Sequence, residues 1–419
     1  MFLILTTAFL DILGLSIFLP VLPSIIQGFS VNPSWTGYTQ AVYAIGMFIG
    51  GLFFGRLSDK YGRKKMLTYT SVINLLSYFI MLASIWTLVL EPSGNTSMIV
   101  SEWGGISFTH FLSIFHGFTP LFCLFLFARF VGGLGGAGFW VIQAYISDIS
   151  SPEEKTKNMG LMGAAFGMAF LIGPALWGIL SQVTSIHVII LLCIVVIAIN
   201  VFSIFVFLQE PQKHVHLTEI HLNDFHFSRT IILLLTLSFG AILGFSAIQS
   251  MSSQFYTDRF HFSATQIGYT MAMVGLISVL YQGLIVRYIR AYLDELMMIR
   301  IAFGLLSFWF VGFALNTSPS VLFFWIALFP IGMGSFQPGV SALMAKNAGK
   351  EVGKVMGYNT SIQSVGQILW PILAGLLYSP GSGLPFLVSA GVFVILFLLA
   401  FWFREEHQSK ENNLKSTEK

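Results

Sequence analysis

Twelve long, predominantly apolar stretches recur along this chain, each bounded by polar or turn-forming residues, and that recurrence limits the fold more than any other feature. A helix rising 1.5 Å per residue needs about 20 residues to cross ~30 Å of hydrocarbon. The stretches fall near 2–27, 35–57, 66–90, 119–146, 158–182 and 186–208, then 230–254, 265–288, 296–316, 319–344, 355–378 and 384–403. Read as spans, they predict an all-α membrane protein with twelve transmembrane helices. With 55% hydrophobic and 9% charged residues, the chain lies far from the roughly 25% charged residues of soluble domains. A one-span receptor is excluded. The net charge of +3 over 419 residues gives no reason to expect a nucleic-acid partner. The two cysteines, Cys123 and Cys193, lie in apolar runs, so neither a disulfide framework nor a metal site is expected, and no cofactor is implied.

Basic residues set orientation, because they remain on the cytoplasmic side. Of the 21 Lys and Arg residues, nineteen fall in even-numbered loops, the central linker, the C-terminal tail or adjoining helix ends. Arg129 lies in a span, and only Arg259 falls on the other side. Both termini are therefore expected in the cytoplasm. The first run has no basic n-region or small-residue cleavage site and is read as a span. The polar stretch 209–229 divides the chain into an N-terminal six-helix bundle, 1–208, and a C-terminal one, 230–404, followed by a cytoplasmic tail, 405–419. Its His214, His216, His221 and His226 match no zinc spacing and read as a solvated linker. The segment 91–118 on the outer side is irregular, and part of it is apolar enough to lie along the interface. Lys60-Tyr61-Gly62-Arg63 and Arg287-Tyr288-Ile289-Arg290 occupy corresponding places in the two halves, as expected of a duplicated unit with its substrate site at the midplane.

The loop "GRLSDKYGRKK", residues 55 to 65, combines Gly55 for close packing, the anion of Asp59, Gly62 for a tight turn and the cations Arg63, Lys64 and Lys65. It resembles, at every position, the signature loop of the major facilitator superfamily. The resemblance implies the major facilitator fold, with two pseudo-symmetric six-helix bundles, and a cytoplasmic latch between Asp59 and Arg63 that holds the outward-facing state. In the fourth span, "RFVGGLGGAGFW" resembles the superfamily's Arg-x-x-x-Gly motif through Arg129 and Gly133. In the fifth, "GLMGAAFGMAFLIGPALWG" resembles the motif of proton-driven exporters through Gly160, Gly173, Pro174 and Gly178, departing from it at Ala169 and Trp177. The first span, "FLDILGLSIFLPVLPSI", looks like that of tetracycline and multidrug exporters, the drug:proton antiporter branch with twelve helices. "YISDISSPEEKTKNMG", which includes Asp148, and "QFYTDRFHFSATQIG" fit the same branch. The ninth span has no acidic residue, where tetracycline exporters carry one.

Asp11 is the only one of 18 acidic residues well inside a span on this reading, and hydrocarbon disfavours its charged form. If Arg129 faces Asp11, the pair can exchange protons for substrate as a switch. Gln40, Tyr43, Trp140, Gln143, Gln249, Gln282, Phe336, Gln337, Gln363 and Trp370 offer amides and aromatic faces without fixed charge, suited to an amphipathic organic molecule. The expected function is a secondary active, proton-coupled antiporter exporting a small drug or metabolite. Its expected partners are the substrate, protons and the lipid bilayer. The expected form is a monomer, multi-pass in the bacterial cytoplasmic (inner) membrane. A proton-coupled symporter importing a sugar or nucleoside is the alternative on the same fold, and a non-transporting receptor or scaffold is the alternative of another class. No Walker loop or nucleophilic constellation suggests ATP use or enzymatic activity.

Overall fold

A computed structural model describes residues 1–86, 88–90, 96–98, 119–151, 154–211, 228–348 and 352–417. Twelve helices among these residues are long and apolar enough to cross a membrane. Spans 1 to 6 are Phe2–Gly28, Trp35–Tyr61, Arg63–Ile85, Pro120–Ile149, Leu161–Leu180 and Ile186–Phe207. Spans 7 to 12 are Arg229–Phe260, Ala264–Ile285, Glu295–Leu315, Pro319–Phe336, Gly357–Leu377 and Leu384–Phe401. Helices are what lipid demands, since each backbone donor and acceptor must be satisfied within its own segment.

Local chemistry accounts for the interruptions. Pro20 and Pro23 divide span 1 into α-helix to Phe18, a tight turn at Leu19–Val21 and a final piece to Gly28. Thr119 caps span 4 by accepting the Phe122 N–H at 3.1 Å, with Pro120 next, where a missing donor does no harm. Asp294 caps span 9 through the Met297 N–H at 2.7 Å. Span 8 widens into a π-turn at Tyr281–Ile285. The third span was expected to reach residue 90 but ends at Ile85. Leu88–Leu90 instead pairs antiparallel with Thr96–Met98, and β-branched Val89 and Thr96 suit that extended pairing. The helix of span 12 continues to Thr417, through most of the expected tail. The histidine-containing linker and most of the outer segment lie outside the described residues.

Packing groups the chain into two units. The first comprises Met1–His216, Ser250–Leu276 and Pro371–Gly381, and the second comprises Leu217–Gln249, Ile277–Trp370 and Ser382–Lys419. This grouping follows contact in space and crosses the covalent halves within spans 7, 8 and 11. In the first unit, Phe18, Phe29, Phe122 and Phe125 form an aromatic core with ring centroids 5.3–6.3 Å apart. In the second, Trp309 stacks on Phe313 at 4.6 Å and Phe310 on Phe393 at 5.1 Å.

Span 6 shows why an apolar helix still has a preferred face. Val188, Leu191, Val195, Ile199 and Phe202 point outward, while Ile186, Ile190, Cys193, Ile197, Asn200 and Ile204 are buried. Both stripes follow helical spacing and both are apolar, except at Asn200. Helix contact in lipid rests on close packing and polar bonds, because the tails are as apolar as the side chains.

Candidate functional site

Asp11 is half-buried on span 1, which packs against spans 5 and 6. Its Oδ1 accepts a hydrogen bond from Nδ2 of Asn200 at 2.9 Å. Asn200 is fully buried, and its own Oδ1 has no partner among the described residues. Arg129 is buried on span 4 and donates through Nη2 to Oε1 of Gln40 on span 2 at 2.9 Å. The rings of Phe18 and Tyr43 take up its guanidinium, with centroids at 4.8 and 4.5 Å. Away from water such contacts contribute about 2 kcal/mol or more. Asp11 and Arg129 form no ion pair; each is bonded to a neutral amide, and the Arg129 Nε has no hydrogen-bond partner among the described residues. Tyr43 and Tyr78 stand within electrostatic reach of both.

Spans 2 and 4 meet through glycines. A Cβ on Gly133 would lie 2.0 Å from the Tyr43 carbonyl oxygen, and one on Gly46 would lie 2.2 Å from that of Phe130. The Arg-x-x-x-Gly spacing therefore places the close approach one turn from the guanidinium it presents to Gln40.

At the 55–65 loop only Gly62 separates the helices of spans 2 and 3, with φ +105°, a conformation that side-chain-bearing residues avoid. A Cβ there would also strike Oε2 of Glu210 at 2.8 Å. Glu210, just beyond span 6, accepts the backbone N–H of Arg63 and that of Lys64, the latter at 3.0 Å. An anion thus occupies the positive end of the span 3 helix. Arg63 reaches Asp59 at 2.6 Å, Asp148 at 2.7 Å and the Ser58 hydroxyl at 2.6 Å. The Asp59 side chain is 66% exposed against 33% for Asp148, so screening leaves the Asp148 pair the firmer of the two. Gly55, read as a close-packing residue, meets nothing within 4 Å. The structure therefore gives no steric reason for glycine there.

The fifth-span motif is a groove with occupants on two sides. Gly173 lies against Ser16 of span 1, whose hydroxyl donates to the Ala169 carbonyl at 2.8 Å. On the other side, Gly268 of span 8 faces the Pro174 carbonyl and the Gly178 backbone, where a Cβ would come within 2.6–2.9 Å. Trp177, standing where the motif expects glycine, is buried, and its indole N–H has no partner among the described residues. Gly160 lies on this helix, and its surroundings fall outside the described residues.

The aromatic and amide positions are distributed over both units. Gln40 and Tyr43 gather at Arg129, while Trp140 covers Gly51 and Gln143 is half-buried. In the second unit Gln363 donates to Ser238 at 2.8 Å, Phe336 packs on Phe303 at 5.1 Å, Gln249 is half-buried and Gln282 is exposed. Trp370 is buried with its N–H unpartnered among the described residues, and the Gln337 side chain lies outside them.

A further polar cluster belongs to the first unit. Asp258 accepts from Gln254 at 2.9 Å and from the Tyr378 hydroxyl at 2.7 Å, and Gln254 accepts from Thr36 at 3.0 Å. Arg259 donates to the Gly381 carbonyl at 2.8 Å. Burial and the adjacent Asp258 carboxylate push the Tyr378 phenol above its usual range, so it remains a neutral donor. Sequence reasoning missed Asn200, Glu210 and this cluster. Only Asn200 had a local signal, as the one amide in the most apolar span. Apart from the Gln254–Asp258 bond, four residues apart, the others depend on partners more than a hundred residues away.

The model of the Major Facilitator Superfamily matches residues 4–90, 96–329 and 234–419. Multidrug resistance protein 2 of Bacillus subtilis is 25% identical over 98% of this chain and 96% of its own. The class H tetracycline resistance protein of Pasteurella multocida is 25% identical over 97% and 96%. The quinolone resistance protein NorA of Staphylococcus aureus is 24% identical over 96% and 95%. In fold, the chain resembles the human organic anion transporter MFSD10, with TM-score 0.68 and 19% identity over 95% of this chain and 98% of that one. It also resembles a D-xylose-proton symporter, with TM-score 0.71 and 12% identity over 95% and 97%. The chain therefore belongs to the Major Facilitator Superfamily and is a multi-pass membrane transporter.

Proposed function

We propose that the chain is a proton-coupled antiporter that exports a small amphipathic organic molecule by alternating access between two six-helix halves. The observation that carries this reading is the Asp11 carboxyl, bonded inside span 1 to the neutral amide of Asn200 and unpaired with Arg129. An acid so placed can gain and lose a proton without breaking an ion pair, and acids at membrane depth usually mark transport pathways. The resistance proteins named above support export as the direction. The symporter likeness extends to the fold alone.

On this reading both termini and the 55–65 loop face the cytoplasm of a bacterial inner membrane. The protein acts as a monomer, and Asp59 with Arg63 latches the cytoplasmic side. Gln40, Tyr43, Trp140, Gln143, Gln249, Gln282, Phe336, Gln337, Gln363 and Trp370 supply the faces and amides that hold the substrate. Arg129 positions Gln40 and Tyr43 by the contacts described.

The test is uptake into inverted vesicles under an imposed pH gradient, screened over drugs, sugars and amphipathic metabolites. Uptake of an amphipathic compound coupled to proton exit is expected, and Asp11→Asn is expected to abolish substrate-driven proton release. Movement of substrate and proton in the same direction would establish symport. Unchanged proton stoichiometry in Asp11→Asn would remove Asp11 as the carrier.

A further inference from the structure

Asn200 is the single amide in span 6, is fully buried, and spends one of its two polar ends on Asp11. Its Nδ2 donates to Oδ1 of the carboxyl at 2.9 Å, while its Oδ1 is buried without a partner among the described residues. A buried orphan acceptor is unfavourable by about 1–3 kcal/mol, so an acceptor left idle beside a proton site calls for a use. A side-chain amide has a donor end and an acceptor end, and the torsion that exchanges them is broad and roughly two-fold. A carboxylate only accepts, whereas a carboxylic acid carries one donor. One half-turn of the amide therefore matches both charge states.

We propose that Asn200 is the positioning residue of the Asp11 proton site, donating to the carboxylate and, after a half-turn of its amide, accepting the O–H of the protonated acid. The proton itself ends on a carboxyl oxygen of Asp11. Asn200 keeps its composition throughout and gives the acid a bonded partner in either state. This inference rests on the reading of Asp11 as the proton carrier. Among the described residues the ionisable groups in electrostatic reach of Asp11 are Tyr43 on span 2 and Tyr78 on span 3, with Arg129 on span 4 and Cys193 on span 6 lying beyond them, against the tyrosines. Span 5 offers none between Leu161 and Leu180. Arg129 is engaged by Gln40 and by the rings of Phe18 and Tyr43. Tyr78 is the nearest rival, since a Cβ on Gly14, one turn from Asp11, would lie 3.0 Å from its hydroxyl oxygen.

Infrared difference spectra of the full-length protein in lipid, recorded on stepping the pH, test this directly. The protonated-carboxyl stretch lost in Asp11→Asn identifies the Asp11 band. In Asn200→Leu, an apolar replacement of similar size on an apolar span, this band is expected to move to the higher frequency of an acid without an acceptor. Asn200→Gln, which keeps an amide able to turn either way, is expected to keep the bonded frequency. Tyr78→Phe is expected to leave the band in place. A band unmoved in Asn200→Leu, or moved only in Tyr78→Phe, overturns the role of Asn200 while leaving Asp11 as the carrier. Absence of any Asp11-dependent band overturns both. Thermal unfolding of each variant separates loss of fold from loss of the bond.

Discussion

Replacing Gly133 by alanine adds one methyl group at the tightest crossing of spans 2 and 4. That methyl would stand 2.0 Å from the Tyr43 carbonyl oxygen, 2.9 Å from the Met47 nitrogen and 3.0 Å from the Gly46 Cα. Ordinary C···O contacts begin near ~3.3 Å, so the helices must separate locally by about 1.3 Å. All three obstacles are backbone atoms, and no side-chain rotation relieves the clash. Overpacking of this kind costs roughly 1–3 kcal/mol, and the rigid obstacle puts Gly133→Ala at the upper end. The separation also acts one turn from Arg129, whose 2.9 Å bond to Gln40 bridges the same two helices and would be stretched beyond hydrogen-bonding range. The expected result is a lower melting midpoint in detergent together with transport reduced by at least about tenfold, the equivalent of ~1.4 kcal/mol in an equilibrium. Gly163→Ala on span 5 is the control. Nothing lies within 4 Å of its added methyl, and alanine is favoured over glycine in a helix by about 1 kcal/mol. It is expected to match or exceed the parent in melting. Parent-like melting and transport in Gly133→Ala would refute the packing argument.

Three further outcomes follow from particular contacts. Glu210→Gln removes the anion that accepts the Arg63 and Lys64 N–H groups, with an expected loss of about 1 kcal/mol at the start of span 3 and faster hydrogen exchange at those two amides. Arg63→Lys cannot span Asp59, Asp148 and Ser58 with one planar fork. Cross-linking between cysteines placed near 63 and 148 should therefore fall, whereas unchanged yield would show that charge alone suffices. Tyr378→Phe leaves Asp258 with Gln254 as its remaining side-chain partner among those described. It should lower stability by about 1–2 kcal/mol, with a double-mutant cycle against Asp258→Asn returning most of that as coupling.

The twelve spans were legible because lipid makes apolar length and helical structure nearly the same statement. The exception is the third span, where the run is apolar to residue 90 but the chain turns to an extended pairing after Ile85. The signature loop was legible because its parts lie within eleven residues. Its meaning at Gly62 is visible in the φ of +105°, yet Gly55 in the same motif has no neighbour that needs a glycine. Arg129 and Asp11 are each marked by being charged in a span, but whether they face each other is not legible from that. Gln40 and Asn200 are the partners found. Each charge has taken a neutral amide instead, and two aromatic rings hold the guanidinium although its Nε has no hydrogen-bond partner among the described residues.

By itself the sequence determined the solvent, the number and approximate extent of the helices, and the rarity of charge at depth. These depend on residue type and spacing along one segment. The rotation of each helix about its axis depended on tertiary structure, because a span apolar all round, such as span 6, has no polar face to declare which side is buried. That rotation brings Asn200 to Asp11, and the course of the chain just beyond spans 6 and 11 brings Glu210 to the start of span 3 and Tyr378 to Asp258. The contacts join residues 189, 147 and 120 positions apart, a separation at which only packing in space decides who meets whom.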